Sequence, residues 1–246
     1  MAGWLKADWP APAGVVAGTS LRSGGVSSGP YDSLNLGAHV GDSAGCVEEN
    51  RRRFLEACRV PAEPVWLSQV HGTRVIVDPP RTAIPPQADA VLVRRAGEVC
   101  AVLTADCLPV LFTSQDGDEV AAAHAGWRGL LNGVLEATVA AMTAPPGRIL
   151  AWFGPAISQP SFEVGPELRD QFCDRDPAAA LHFARNARGR WQADLYGLAR
   201  QRLEAAGLSQ VFGGGHCTYT DRQRFFSYRR DGECGRMCSF VFRYPP

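Results

Sequence analysis

The sequence predicts an α+β fold, a single domain of mixed β-sheets flanked by helices. Three observations carry this. Short apolar, strand-like runs follow one another between residues 65 and 123 with no helix between them, whereas a doubly wound sheet would alternate the two. Stretches with apolar residues at helical spacing stand on either side of those runs. Finally, 246 residues at 46% hydrophobic content, with no repeat, low-complexity block or linker, suit one core.

Taken in order, residues 23–37 (SGGVSSGPYDSLNLG) form a turn-rich opening. A helix is expected over 47–58, where Val47, Phe54, Leu55 and Cys58 share a face. Strands are expected at 65–70, 74–77, 90–93, 99–104, 110–113 and 120–123, punctuated by His71-Gly72 and Asp116-Gly117. Residues 129–142 read as one helix, because Leu130, Leu131, Val134, Leu135, Thr138, Val139 and Met142 make one stripe that Pro145-Pro146 ends. A strand at 149–153 follows, then a helix opened by Pro166 and another over 194–206 stopped by Gly207. Two strands, 224–228 and 239–243, close the chain.

Charge narrows the function. Lys+Arg and Asp+Glu both total 25, which argues against nucleic acid or an anionic membrane as partner. Only Lys6 is a lysine, so Schiff-base and P-loop chemistry are excluded, and any bound anion must rely on arginine, backbone N–H groups or a metal. No apolar run approaches the roughly 18 residues of a membrane span. The first residues lack the continuous apolar stretch of a signal peptide. Eight irregularly spaced cysteines then read as reduced thiols of a cytoplasmic protein. Oligomeric state is left open.

Three segments end an apolar run on a metal-capable side chain beside glycine or proline. They are QVHG with His71, TADCLP with Cys107, and AAHAGWRG with His124. Two imidazoles and a thiolate would give Zn²⁺ three ligands and leave one position open. Read singly, each is equally a turn histidine or a small core cysteine. The second group, His216-Cys217 with Cys234 and Cys238, is too loosely spaced for a metal site and reads as core or loop thiols.

These segments, together with TSLRSGGVS (19–27), SLNLGAHVGD (33–42), FGPAISQPSFEVG (153–165) and RFFSYRRDG (224–232), resemble the laccase-domain family. That family was first named for multicopper polyphenol oxidation and is now described as purine nucleoside phosphorylase-like. The resemblance runs from about residue 19 to 243 and implies that His71, Cys107 and His124 surround a catalytic metal. It also implies phosphorolysis of adenosine, inosine and methylthioadenosine, with hydrolytic deamination of adenosine. Phosphate would then fall to Arg22, Arg229, Arg230 or Arg128, with backbone from Gly24-Gly25. Asn35 joins them as a substrate-binding candidate. Phe225, Phe226 and Tyr228 are candidate faces for the purine. Asp106, able to orient a ligating imidazole, and Glu163 are the candidate acid–base groups.

Five histidines in all are too few for a blue-copper site plus a trinuclear cluster; the two imidazoles and the thiolate suit Zn²⁺, although Cu²⁺ would compete for the same donors in vitro and permit polyphenol oxidation. Two enzymatic alternatives share the residues. One is an amidase that edits peptidoglycan precursors, a role also assigned within the family. The other is a metal-free cysteine hydrolase using Cys107 and His124, with Asp106 or Asn35 orienting the histidine. A purely structural zinc would need a fourth ligand, from His39 or Cys217.

Overall fold

In the computed structural model, which describes residues 3–245, the chain stacks in four layers. The first sheet is mixed and six-stranded, in the order β12 (Gln210–Gly213), β8 (Ile149–Phe153), β6 (Leu108–Ser114), β7 (Val120–Ala125), β4 (Ala90–Val93), β3 (Val75–Val77). Its outer pairs β12·β8 and β3·β4 are parallel and its inner pairs antiparallel. The second sheet, fully antiparallel, runs β1 (Trp4–Lys6), β2 (Val15–Ser20), β13 (Met237–Arg243), β5 (Val99–Thr104).

Every residue of β4 to β8 is buried, which is why these strands read as continuous apolar runs with no polar face. Alternate side chains go to alternate layers. Leu92, Val110, Phe112 and Phe153 face helices α2 (Trp127–Asn132), α3 (Val134–Ala141), α4 (Pro166–Arg175) and α5 (Leu195–Ala205). Val91, Val93, Leu111 and Trp152 instead meet Ala17, Val102 and Val241 of the second sheet. The far face of that sheet, through Ala101, Leu103, Phe240 and Phe242, is covered by Phe54 of α1 (Ala44–Ala57) with Leu34 and Leu36. Burial of this many large apolar side chains, at roughly 1.5–3 kcal/mol each before entropy is charged, is the main force on the fold.

The α+β class stands, with differences in detail. The 129–142 stripe is two helices, because Gly133 turns left-handed at φ +102° and ends α2 before α3 begins. Residues 65–70 hold only a single bridge, Ser68 to Gln87. Gln69 there spends its side chain on the backbone of Leu103, donating from Nε2 and accepting at Oε1, both at 2.8 Å. Residues 224–228 are not a strand either. Phe225 N donates to Asp221 O, and Ser227 caps the short helix α6 (Tyr228–Asp231). The sequence pattern also missed β1, β2, β12 and a small antiparallel sheet of β10 (Phe183–Arg185), β11 (Trp191–Ala193) and β9 (Glu163–Val164), most of them too short for a periodicity to register. No helix among the described residues is long and apolar enough to cross a membrane.

Candidate metal centre

Cys107 lies where the chain changes sheets. β5 ends at Thr104, paired with Met237 in the second sheet, and β6 starts at Leu108, paired with Ala125 in the first. The step between them turns on Asp106, left-handed at φ +91°. Its carboxylate accepts from Thr218 Oγ1 and from Arg229 N, each at 2.6 Å, and its carbonyl accepts from Ile157 N at 2.9 Å. The corner is thereby fixed from three sides.

His124 is the penultimate residue of β7. Across from it, just before β4, stands Asp89, whose Oδ1 lies 2.9 Å from His124 Nδ1 and whose carbonyl accepts from His124 N at 2.7 Å. The same carboxylate accepts from the backbone N–H groups of Val70 (3.2 Å), His71 (2.9 Å) and Gly72 (2.7 Å). That turn, docked on Leu103 by Gln69, presents His71 at φ +60°.

Three donor atoms therefore converge. One each from His71, Cys107 and His124 lies within 4.8 Å of the others. Cys107 Sγ is 3.8 Å from His71 Nε2, and the two imidazole rings stand 4.7 Å apart at 74°. With Zn–N near 2.0–2.1 Å and Zn–S near 2.3 Å, tetrahedral donors sit about 3.3–3.7 Å apart; the Cys107–His71 pair at 3.8 Å is just beyond that spacing, and the whole trio lies within 4.8 Å. Gly126 keeps the space clear. A Cβ there would come within 2.8 Å of His71 Cδ2 and 2.9 Å of Cys107 Sγ. The donor set is that of a borderline-soft divalent ion, three protein ligands with one position open, and the residues fit such a group.

Electrostatics within the trio are reciprocal. Burial disfavours the Cys107 thiolate, but His124 and His71 outweigh it and hold the thiol below its ordinary range. Burial likewise disfavours the His124 imidazolium, while Cys107 and Asp89 hold it up. Asp89, against its own burial, is held below the usual carboxylate range by His124 and the turn's N–H groups.

The family model described as multi-copper polyphenol oxidoreductase laccase matches residues 16–244. The chain belongs to that family. It is 54% identical over 235 residues, 96% of each chain, to a protein of Escherichia coli K12 named purine nucleoside phosphorylase YfiH. A purine nucleoside phosphorylase of Pseudomonas aeruginosa is 52% identical over 244 residues, covering 98% of this chain and 99% of that one. Among solved structures, a protein of Neisseria meningitidis matches with a TM-score of 0.94 at 48% identity, over 98% of this chain and 99% of its own. YlmD from Geobacillus stearothermophilus matches at 0.92 with 33% identity, over 99% and 97%.

In this member of the laccase-like family the other expected site residues fall into two groups. Asn35 is fully buried, accepting from Gly37 N and Arg236 N while donating to Gly37 O and Asp42. Arg22 donates from Nε and Nη2 to Asp32 O and from Nη1 to Arg222 O. Arg230 spends its guanidinium on Asp231 and on the carbonyls of Thr218, Tyr219 and Phe225. These three pin loops. Phe225 and Phe226 are core, whereas Tyr228 is 59% exposed. Glu163, despite partial burial, is held below the carboxylate range by Asn186 and Arg188.

Arg229 and Arg128 are different. Both are exposed. Arg229 donates from Nη1 to Glu163 O at 2.8 Å, and Arg128 lies over Trp127 at 4.5 Å with no polar partner among the described residues. The imidazole partner expected in Asp106 is instead Asp89, because the Asp106 carboxylate is already committed to Thr218 and Arg229. Asp89 escaped the rule that found the ligands, since it precedes its apolar run and stands between Ala88 and Ala90 rather than beside glycine or proline. His39 is exposed and outside the trio. Cys217 accepts from Ser158 N at 3.4 Å, and Cys234 and Cys238 are buried in apolar clusters.

Proposed function

We propose that this chain is a cytoplasmic, zinc-dependent purine nucleoside phosphorylase that converts adenosine, inosine or methylthioadenosine and phosphate to base and pentose 1-phosphate, and that it also deaminates adenosine. One observation carries the reading, the convergence of His71, Cys107 and His124 on an uncluttered point, in a chain whose relatives are named purine nucleoside phosphorylases. All eight cysteines are unpaired, in keeping with a reducing compartment.

A divalent metal held there supplies Lewis acidity and a lowered water pKa. The chain's own residues do the rest. Asp89 accepts a hydrogen bond from the Nδ1–H of His124, which leaves the Nε2 lone pair toward the trio. Thr218 and the Arg229 N–H hold the Asp106 corner, and with it the Cys107 sulfur. Arg128 and Arg229, with donors still available, bind phosphate oxygens, and Tyr228 offers the exposed aromatic face for the base.

Chromatography of adenosine incubated with zinc-loaded protein, with and without phosphate, tests this. Phosphate-dependent adenine supports the phosphorylase and phosphate-independent inosine the deaminase. No turnover of any of the three nucleosides, in protein holding one zinc, would sink the reading and favour amide hydrolysis.

One alternative has an observation of its own. Cys107, His124 and Asp89 line up as nucleophile, base and orienting carboxylate, the arrangement of a metal-free cysteine hydrolase. Full activity after exhaustive chelation, abolished by thiol alkylation, would favour it. Activity lost on chelation and restored by zinc would dismiss it.

A further inference from the structure

We propose that Asp89 is a positioning residue shared by two of the three ligands, so that one carboxylate sets both the His124 ring and the turn carrying His71, and the affinity of the cluster for metal depends on it. This rests on the metal reading above. The carboxylate is fully buried, and its one ion-pair partner among the described residues is His124. Oδ1 serves both arms, accepting from His71 N and His124 Nδ1, each at 2.9 Å. Oδ2 takes Gly72 N at 2.7 Å and Val70 N at 3.2 Å. Four donors thus satisfy a charge that would otherwise be expensive to bury. His71 sits in the left-handed region that residues with a Cβ rarely enter, and three successive N–H groups converging on one carboxylate hold it there. An independent link closes the arrangement. Asp89 accepts at its carbonyl from His124 N and donates its own N–H to Arg74 O at 3.1 Å, so its backbone is fixed on both sides of the pair.

An asparagine would keep the shape but turn an NH₂ group toward incoming donors, breaking one oxygen's pair of bonds. The test is zinc titration against a chromogenic chelator using the intact chain as wild type, D89N, H71A and D89N/H71A. D89N is expected to weaken zinc binding about 10- to 100-fold. The same change should cost less in the H71A background, where only the His124 arm remains to be lost. Equal affinity of wild type and D89N, with only the melting temperature lowered, would show a merely structural carboxylate and overturn the proposal. Wild-type protein that takes up no zinc at this cluster overturns the metal reading itself. If D89N does not fold, long-range ¹H–¹⁵N spectra of the zinc-loaded wild type decide. His124 must carry its proton on Nδ1, and a proton on Nε2 overturns the assignment.

Discussion

Two places in this molecule put histidine beside cysteine, and they behave differently. At His216-Cys217 the residues are neighbours in sequence yet face apart. His216 Nδ1 lies 3.5 Å from Arg224 Nη2, while Cys217 Sγ meets Ser158 N and lies 3.7 Å from Ser161 Oγ. At His71, Cys107 and His124 the residues are far apart in sequence, and three elements bring them together. Adjacency along an extended chain sends successive side chains to opposite sides. Two strand termini and a turn that meet at one end of the sheet bring theirs into one place.

The sharpest way to break this comparison is to substitute each thiol. Cys107→Ser should cost more than about 100-fold in zinc affinity, beyond what loss of a supporting residue costs, and abolish turnover in folded protein. Cys217→Ala should leave zinc content at the wild-type level. Zinc measured by elemental analysis of the two purified variants checks both, and equal losses would erase the distinction.

Gly126→Ala should come next, since the added methyl meets His71 Cδ2 and Cys107 Sγ well inside van der Waals distance. We expect turnover and zinc affinity to fall about 10- to 100-fold, as for other changes that disturb ligand orientation, with the melting temperature lowered as well. Unchanged zinc affinity would mean the ligands move aside freely.

Alkylation sharpens the contrast in another way. Both thiols are acidified, Cys107 by His124 and His71 against burial, Cys217 to about 7 by hydrogen bonds from Ser158 and Thr220, again against burial. In metal-free protein, iodoacetamide should modify both below the ordinary thiol range near pH 8.5. Zinc should protect Cys107 alone, as peptide mapping would show. Acid should also act on the metal-free fold through Asp89. Its depressed pKa contributes stability above the unfolded value of about 4 that disappears as pH falls through the folded one, so melting temperatures should drop below that point, less so in D89N.

The smallest effect expected is on phosphate. Arg128→Ala should raise the KM for phosphate about tenfold, the scale of one lost charge-assisted hydrogen bond, with a lesser effect on the KM for nucleoside. Arg81→Ala, in an exposed loop elsewhere, should change neither. Steady-state kinetics at varied phosphate separates these outcomes.

The three ligand positions stood out in the sequence because each ends an apolar run beside glycine or proline, a signal that survives without knowledge of the fold. Asp89 lacks that signal, since it precedes its strand and stands between Ala88 and Ala90, and what identifies it is the backbone of residues 70–72 folding over it, a tertiary fact. Arg22 and Arg230 read as free cations because their partners are mostly backbone carbonyls, which no side-chain pattern reveals. The 129–142 stripe hid its own break, since Gly133 interrupts the backbone without interrupting the apolar face. The short edge strands Gln210–Gly213 and Trp4–Lys6 offered too few residues for a period of two to be seen.

Cys107 occupies the corner at which one sheet hands the chain to the other, and the His71 turn is tied to both, to Leu103 through Gln69 and to Asp89 beside β4. An ion bound by these residues would therefore act as a rivet across the sandwich. Folded protein alone presents the assembled trio, so free metal at 1,000 times its dissociation constant would add about 4 kcal/mol to the unfolding free energy. Resistance to proteolysis through the unfolded state would then rise with the free metal available to the protein.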